Sequence, residues 1–258
     1  MLLEDLRKVA GIVAREIYKS LGRGTWKELS IGEGGDLTTE MDLMAEELVI
    51  HGLEELGHSF VLVSEESGER VFGRNPEFTV FLDPIDGTSN AIRGIPISST
   101  SISVSRRGRR LKDVEIGVIR DIFSKEEFYS VKGKGAYFNE SRVLVEERGI
   151  EIASVYPYGI DEEDLSTIRR IKKVRLLGSI SLETCYVALG RLDAVLIPKE
   201  KMRTIDLSAS YLFSVESGSF VSNFRLEEIG NLEISPKIRT SLIVSSSETS
   251  ARRILSNG

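Results

Sequence analysis

Hydrophobic periodicity changes along this chain, and the change limits the folds open to it. Leu6, Val9, Val13, Ile17 and Leu21 recur at three- and four-residue steps, so residues 2 to 21 read as an amphipathic helix. A second helix is expected from about Thr39 to about Leu56, through Met41, Ala45, Leu48, Val49 and Leu53. The pattern then shifts to short strands: SFVLVS (59–64), FTVFLD (78–83) and the alternating SSTSISVSRRG (98–108), with VEIGVIRD and EEFYSV carrying it to Val131. Beyond EERGIE, strand and helix signals alternate through IEIASVYP, DEEDLSTIRRI, KKVRLL, SLETCYVALG, DAVLIP and DLSASYLFSVESG. The chain therefore reads as α+β, with a largely antiparallel half over residues 1–147 and an α/β half over 148–258. No Pro or Ser linker marks the divide, so the halves are expected to pack tightly.

Composition narrows the function. At 258 residues and 41% hydrophobic, the chain is long enough for a continuous core. A net charge of −6 with both signs interspersed argues against nucleic acid or an anionic membrane as the main partner. No stretch reaches the roughly 18 apolar residues of a membrane span, and the charged N-terminus has no apolar block, so a cytoplasmic location is expected. Cys185 is the single cysteine, and His51 and His58 are the only histidines, which sets aside a zinc site of Cys and His ligands. Carboxylates are the available metal ligands.

They concentrate around FLDPIDGTSN, residues 81–90. Pro84 and Gly87 break an extended run, and a turn there can swing Asp86 beside Asp83. Two such carboxylates repel unless a proton or a cation sits between them, and a hard divalent ion with oxygen ligands is the simpler answer. The turn would also leave the carbonyl of Ile85 free for that ion, while GTSN would open a helix whose N–H groups, at Gly87 and Thr88, face an anion. An ordinary Asp-Pro turn with Thr88 as an N-cap accounts for the same residues. VSEES places Glu65 and Glu66 after an apolar strand, where one of them should approach Asp83. Asp42 lies three residues after Thr39, the spacing of a capping box, and Asp206 stands at the start of a helix of small residues.

DPIDGTSN, with SEES upstream and IDLSAS downstream, resembles the metal- and lithium-sensitive phosphomonoesterase family that includes inositol monophosphatase, fructose-1,6-bisphosphatase and adenosine bisphosphate nucleotidases. GDLTTEMD is similar to the family's Asp-x-x-Thr-x-x-Asp segment, and GKGAYFN to its Gly-x-Gly-Ala turn. The resemblance implies a layered α-β-α-β-α sandwich of the sugar phosphatase type, usually a homodimer, with two or three Mg2+ ions that Mn2+ can replace. It implies Glu65, Asp83, the Ile85 carbonyl, Asp86 and Asp206 as metal ligands. Asp42, Glu65 and Thr88 take the catalytic roles, and Asp86 and the N–H groups of Gly87 and Thr88 hold the phosphate. The loop before Asp36, SIGEGG, lacks the Lys-Ser-Pro-like segment of many members, and its glycines predict mobility.

Inositol-selective members tend to carry an acidic residue shortly before a WD motif that reads ID here; the neighbourhood is PKEKMRTID, with Lys199, Lys201 and Arg203. Such positive charge suits a second phosphate. Arg175 and the GSIS segment, at Ser179 and Ile180, are expected to complete that pocket, with Tyr156 and Tyr158 lining it. The chain thus resembles the archaeal-type members that accept both fructose 1,6-bisphosphate and inositol 1-phosphate; a phosphatase of adenosine 3′,5′-bisphosphate or NADP is the other reading.

Overall fold

The computed structural model of the chain describes residues 2–21, 26–35 and 37–255. The first half runs α1 (Leu2–Ser20), β1 (Glu28–Ile31), β2 (Leu37–Thr39), α2 (Glu40–Glu55), β3 (Phe60–Ser64), β4 (Gly68–Phe72), β5 (Phe78–Asp86), α3 (Thr88–Arg93), β6 (Ser99–Ser105), β7 (Ile116–Asp121), β8 (Glu127–Val131), β9 (Gly135–Phe138) and β10 (Ser141–Val143). The second runs β11 (Ile152–Val155), α4 (Glu162–Ile168), β12 (Lys173–Arg175), α5 (Ile180–Ala188), β13 (Ala194–Arg203), α6 (Ser208–Ser217), β14 (Phe220–Ser222), β15 (Arg239–Ser245) and α7 (Glu248–Leu255). β1 and β2 form a hairpin of their own; the other strands make an eight-stranded sheet, β10-β9-β8-β7-β6-β5-β3-β4, and a five-stranded sheet, β12-β11-β13-β15-β14.

Five layers follow from which faces are apolar. Leu6, Val9, Val13 and Ile17 of α1 join Met41, Ala45, Val49 and Leu53 of α2 in a stripe over Leu62, Val80, Leu82, Ile102 and Val118 of the large sheet. Gly52 lets the two helices close, since a Cβ there would stand 3.0 Å from Val9 Cγ2. Leu53 is fully buried in this layer, and Leu53→Ala should cost about 2–5 kcal/mol.

The opposite face of the large sheet carries Ile119, Phe128 and Ala136 against Leu182 and Cys185 of α5 and Ala209 and Phe213 of α6. Gly117 brings α6 close, because a Cβ there would lie 2.9 Å from the Ala209 carbonyl oxygen. Val187 and Leu212, from the same two helices, also pack on Val195, Ile197, Leu242 and Val244 of the small sheet. Beyond it, Ala153, Leu196 and Ile243 meet α7 through Ala251 and Ile254, with Ile168 of α4 alongside. The order is α-β-α-β-α, as the resemblance implied. Two strands run further than the sequence indicated: β5 continues through Pro84 to Asp86, and β13 continues to Arg203.

Candidate active site

β3 and β5 are parallel neighbours, with Ser64 beside Leu82, so Glu65 leaves β3 next to Asp83. In an unbroken strand Asp83 and Asp86 would face opposite sides. Pairing with β6 moves from Asp83↔Ser101 to Asp86↔Ser99, three steps on one strand against two on the other. That is a bulge, and it returns Asp86 to the side of Asp83. Pro84, which has no N–H to give to the ladder, sits inside it.

Asp206 arrives from the turn between β13 and α6. Glu65, Asp83 and Asp206 each place a carboxylate oxygen within 4.8 Å of the others, and all three residues are buried. Asp83 Oδ1 has no hydrogen-bond partner. Burial pushes the Asp83 carboxyl far above its usual range, and the Glu65, Asp86 and Asp206 carboxylates push it further. Burial raises Glu65 as well, with the Arg203 guanidinium opposing. A buried, all-oxygen donor set with an orphaned carboxylate oxygen fits a hard divalent cation.

Asp86 points elsewhere as well. Its Oδ2 accepts from the Ser179 hydroxyl at 2.6 Å and the Ser181 N–H at 2.8 Å, and its Oδ1 from the Ile180 N–H at 3.0 Å. Ser179 makes no side-chain cap of its own on α5, so Asp86 supplies the negative charge at that N-terminus. Ser179 and Ile180, expected at the substrate pocket, give these donors to Asp86, while Ile180 also lines the smaller of the two cavities at this site. Burial lifts the Asp86 carboxyl to about 7, against the pull of these hydrogen bonds.

Thr88 donates its hydroxyl to Asp42 Oδ1 at 2.8 Å, with the Ile85 carbonyl also in reach at 2.9 Å. The second oxygen of Asp42 accepts the Thr39 N–H at 2.9 Å and its hydroxyl at 2.7 Å, so Asp42 closes a capping box and holds Thr88 at once. Burial raises its pKa. Gly87 precedes α3 at φ 90°, where a Cβ would lie 2.7 Å from the Gly178 carbonyl oxygen; only glycine brings these two loops together.

These groups open on a cavity of about 620 Å³ lined by Glu65, Asp83, Thr88, Tyr156 and Tyr158. A second, of about 270 Å³, shares both tyrosines and adds Lys201, Asp206 and Arg239. Two expected basic residues are not there. Lys199 pairs with Asp161 at 2.6 Å and Asp164 at 2.8 Å, two acids at the N-terminus of α4 that attract it away. Arg175 lies exposed on the edge strand β12 and donates to the Val174 carbonyl. Lys201, expected beside Lys199, does line the second cavity. Arg239 was not foreseen, because it is brought in by strand pairing with Arg203, far along the chain. Arg203 itself turns to the acids, bridging Glu65 and Asp206. Asp36 lies outside the described residues; in the preceding loop Glu33 and Gly34 donate their N–H groups to the Glu66 and Glu65 carbonyls at 3.3 and 2.9 Å.

The chain is 33% identical to a bifunctional NADP phosphatase/NAD kinase of Methanococcus maripaludis, a match covering 93% of this chain and 47% of the relative. It is 34% identical to a fructose-1,6-bisphosphatase/inositol-1-monophosphatase of Methanothermobacter thermautotrophicus, over 83% of this chain and 81% of the relative. The chain thus spans about half the length of the bifunctional relatives it matches. The crystal structure of an inositol monophosphatase-fructose 1,6 bisphosphatase superposes with a TM-score of 0.85 at 30% identity, covering 98% of this chain and 97% of that one. The model of the inositol monophosphatase family matches residues 2–255, and with the acidic cluster in place the chain belongs to that family.

Proposed function

We propose that the protein is a Mg2+-dependent phosphomonoesterase that hydrolyses fructose 1,6-bisphosphate to fructose 6-phosphate and inositol 1-phosphate to myo-inositol, working as a homodimer. The observation that carries this reading is the meeting of Glu65, Asp83 and Asp206 beneath a cavity that also holds the Asp42–Thr88 pair.

A divalent ion bound there would supply positive charge for the phosphoryl oxygens and lower the pKa of a bound water. Glu65, Asp83 and Asp206 are the residues that would hold it, with Asp86 and the Ile85 carbonyl beside them. Thr88 Oγ, held by Asp42, orients the attacking water, and the raised pKa of Asp42 suits it to take the proton. The start of α3, at Gly87 and Thr88, offers backbone N–H groups to the phosphate. Lys201 and Arg239 are placed to meet a second anionic group.

A second reading, hydrolysis of NADP or adenosine 3′,5′-bisphosphate, draws support from the similarity to relatives named NADP phosphatase and from Tyr158, 55% exposed at the cavity mouth, which offers a face to a base. Phosphate release from the four substrates, with Mg2+ present or chelated, tests both. Turnover of the first pair supports the sugar and inositol reading; preference for the nucleotides replaces it. Light scattering of the eluted protein tests the dimer.

A further inference from the structure

Arg203 stands at the end of β13 with its guanidinium between two of the clustered carboxylates. Nη2 is 2.6 Å from Glu65 Oε2, and Nε is 2.9 Å from Asp206 Oδ2. The three side chains are 13%, 9% and 5% exposed, so neither pair is screened by solvent. The fold makes room for this arrangement: a Cβ on Gly34 would lie 2.5 Å from Arg203 Nη1. Gly34 is fixed in turn, donating to the Glu65 carbonyl at 2.9 Å and accepting from Arg239 at 3.0 Å.

Glu65 and Asp206 are also two of the three residues whose oxygens gather within 4.8 Å. A guanidinium and a divalent ion that share these carboxylates in a buried site repel each other strongly. We propose that Arg203 is an internal competitor for the metal. Its guanidinium neutralises Glu65 and Asp206 until a divalent cation displaces it, and so it sets the concentration at which the cation binds. The inference rests on the reading of the cluster as the metal site. Arginine keeps its charge at every working pH, so the exchange is of one cation for another and involves no proton. The cavity that Arg203 shares with Lys201, Tyr158 and Arg239 is where the displaced side chain can go.

The test is a titration of Mn2+ into wild type, Arg203→Gln and Arg203→Lys, with the unbound ion read by electron paramagnetic resonance and melting temperature followed in parallel. Arg203→Gln should bind Mn2+ on the order of tenfold more tightly, a usual size for coupling between two ligands. Its melting temperature should be lower without the ion and should rise more on adding it. Arg203→Lys, which cannot bridge both carboxylates, should also bind more tightly than wild type, and it decides the matter if the glutamine variant does not fold. Equal or weaker affinity in the folded variants overturns the proposal and makes Arg203 a fixed part of the loaded site. No Mn2+ binding by wild type or by either variant overturns the metal reading itself.

Discussion

Asp86, at the end of a strand in the first half of the chain, accepts the N–H of Ser181, in a helix of the second half, at 2.8 Å. One carboxylate thus ties the two sheets' layers together at the active site. Asp86→Ala strands the N–H groups of Ile180 and Ser181 and the Ser179 hydroxyl, and should cost about 2 kcal/mol or more of stability together with activity. Asp86→Asn, of the same shape, should lose less stability while still losing turnover. Urea denaturation beside phosphate release measures both.

Thr88 and Asp42 act as a pair. Thr88→Val removes the hydroxyl that Asp42 accepts, and kcat should fall about 10²–10⁴-fold, the range for loss of positioned proton transfer. KM should change little. A kcat within a factor of two or three of wild type would take Thr88 out of the chemistry.

Gly87→Ala sets a Cβ at φ 90° against the Gly178 carbonyl oxygen at 2.7 Å. The strain should lower stability by about 1–3 kcal/mol and open the seam between α3 and the loop before α5. A shift in the melting temperature reports it.

Lys201 and Lys199 are two residues apart and should behave differently. Lys201→Ala should raise KM for fructose 1,6-bisphosphate more than for inositol 1-phosphate, because Lys201 lines the cavity and the bisphosphate carries the extra charge. Lys199→Ala should leave both KM values alone, since its ammonium is engaged by Asp161 and Asp164. Steady-state kinetics on both substrates decides.

Glu183, fully buried in α5, holds the turn before its own helix by accepting the N–H groups of Leu177 and Gly178, both at 2.7 Å, and the Ser154 hydroxyl at 2.6 Å. Burial nonetheless raises its pKa. The folded state then holds the proton more tightly than the unfolded chain, so this group's contribution to stability is full below the unfolded pKa. It declines as pH rises through the folded one. The stability of wild type relative to Glu183→Gln should therefore fall as pH rises upward from the ordinary carboxylate range. A flat difference in urea midpoints would contradict it.

Much of this was legible in the sequence, because local patterns carry it. The stripe on α1 and the alternation of β6 fix which faces are apolar, and DPIDGTSN, SEES and IDLSAS mark the acids. What escaped was set by pairing at long range. The bulge that realigns Asp86 with Asp83 shows only in the register with β6. Arg203 and Arg239 meet as cross-strand neighbours of β13 and β15, and β15 lies in a stretch whose strands and helix the sequence did not announce. A run of nearby lysines and arginines does not tell which partner each will find. Lys199 met the acids of α4, Arg203 turned its guanidinium to the acidic cluster at the edge of the outer cavity, and Lys201 lines that cavity.

The central claim is that the carboxylate cluster holds the ion on which turnover depends. Its most direct test is Asp83→Asn, a change of one atom in a residue 2% exposed whose Oδ1 lacks a partner. Phosphate release is measured across sugar, inositol and nucleotide phosphates with Mg2+, and circular dichroism checks the fold. The account predicts a folded protein with turnover lower by about three orders of magnitude or more, equivalent to several kcal/mol of transition-state stabilisation. Near-native turnover from the folded variant would contradict it.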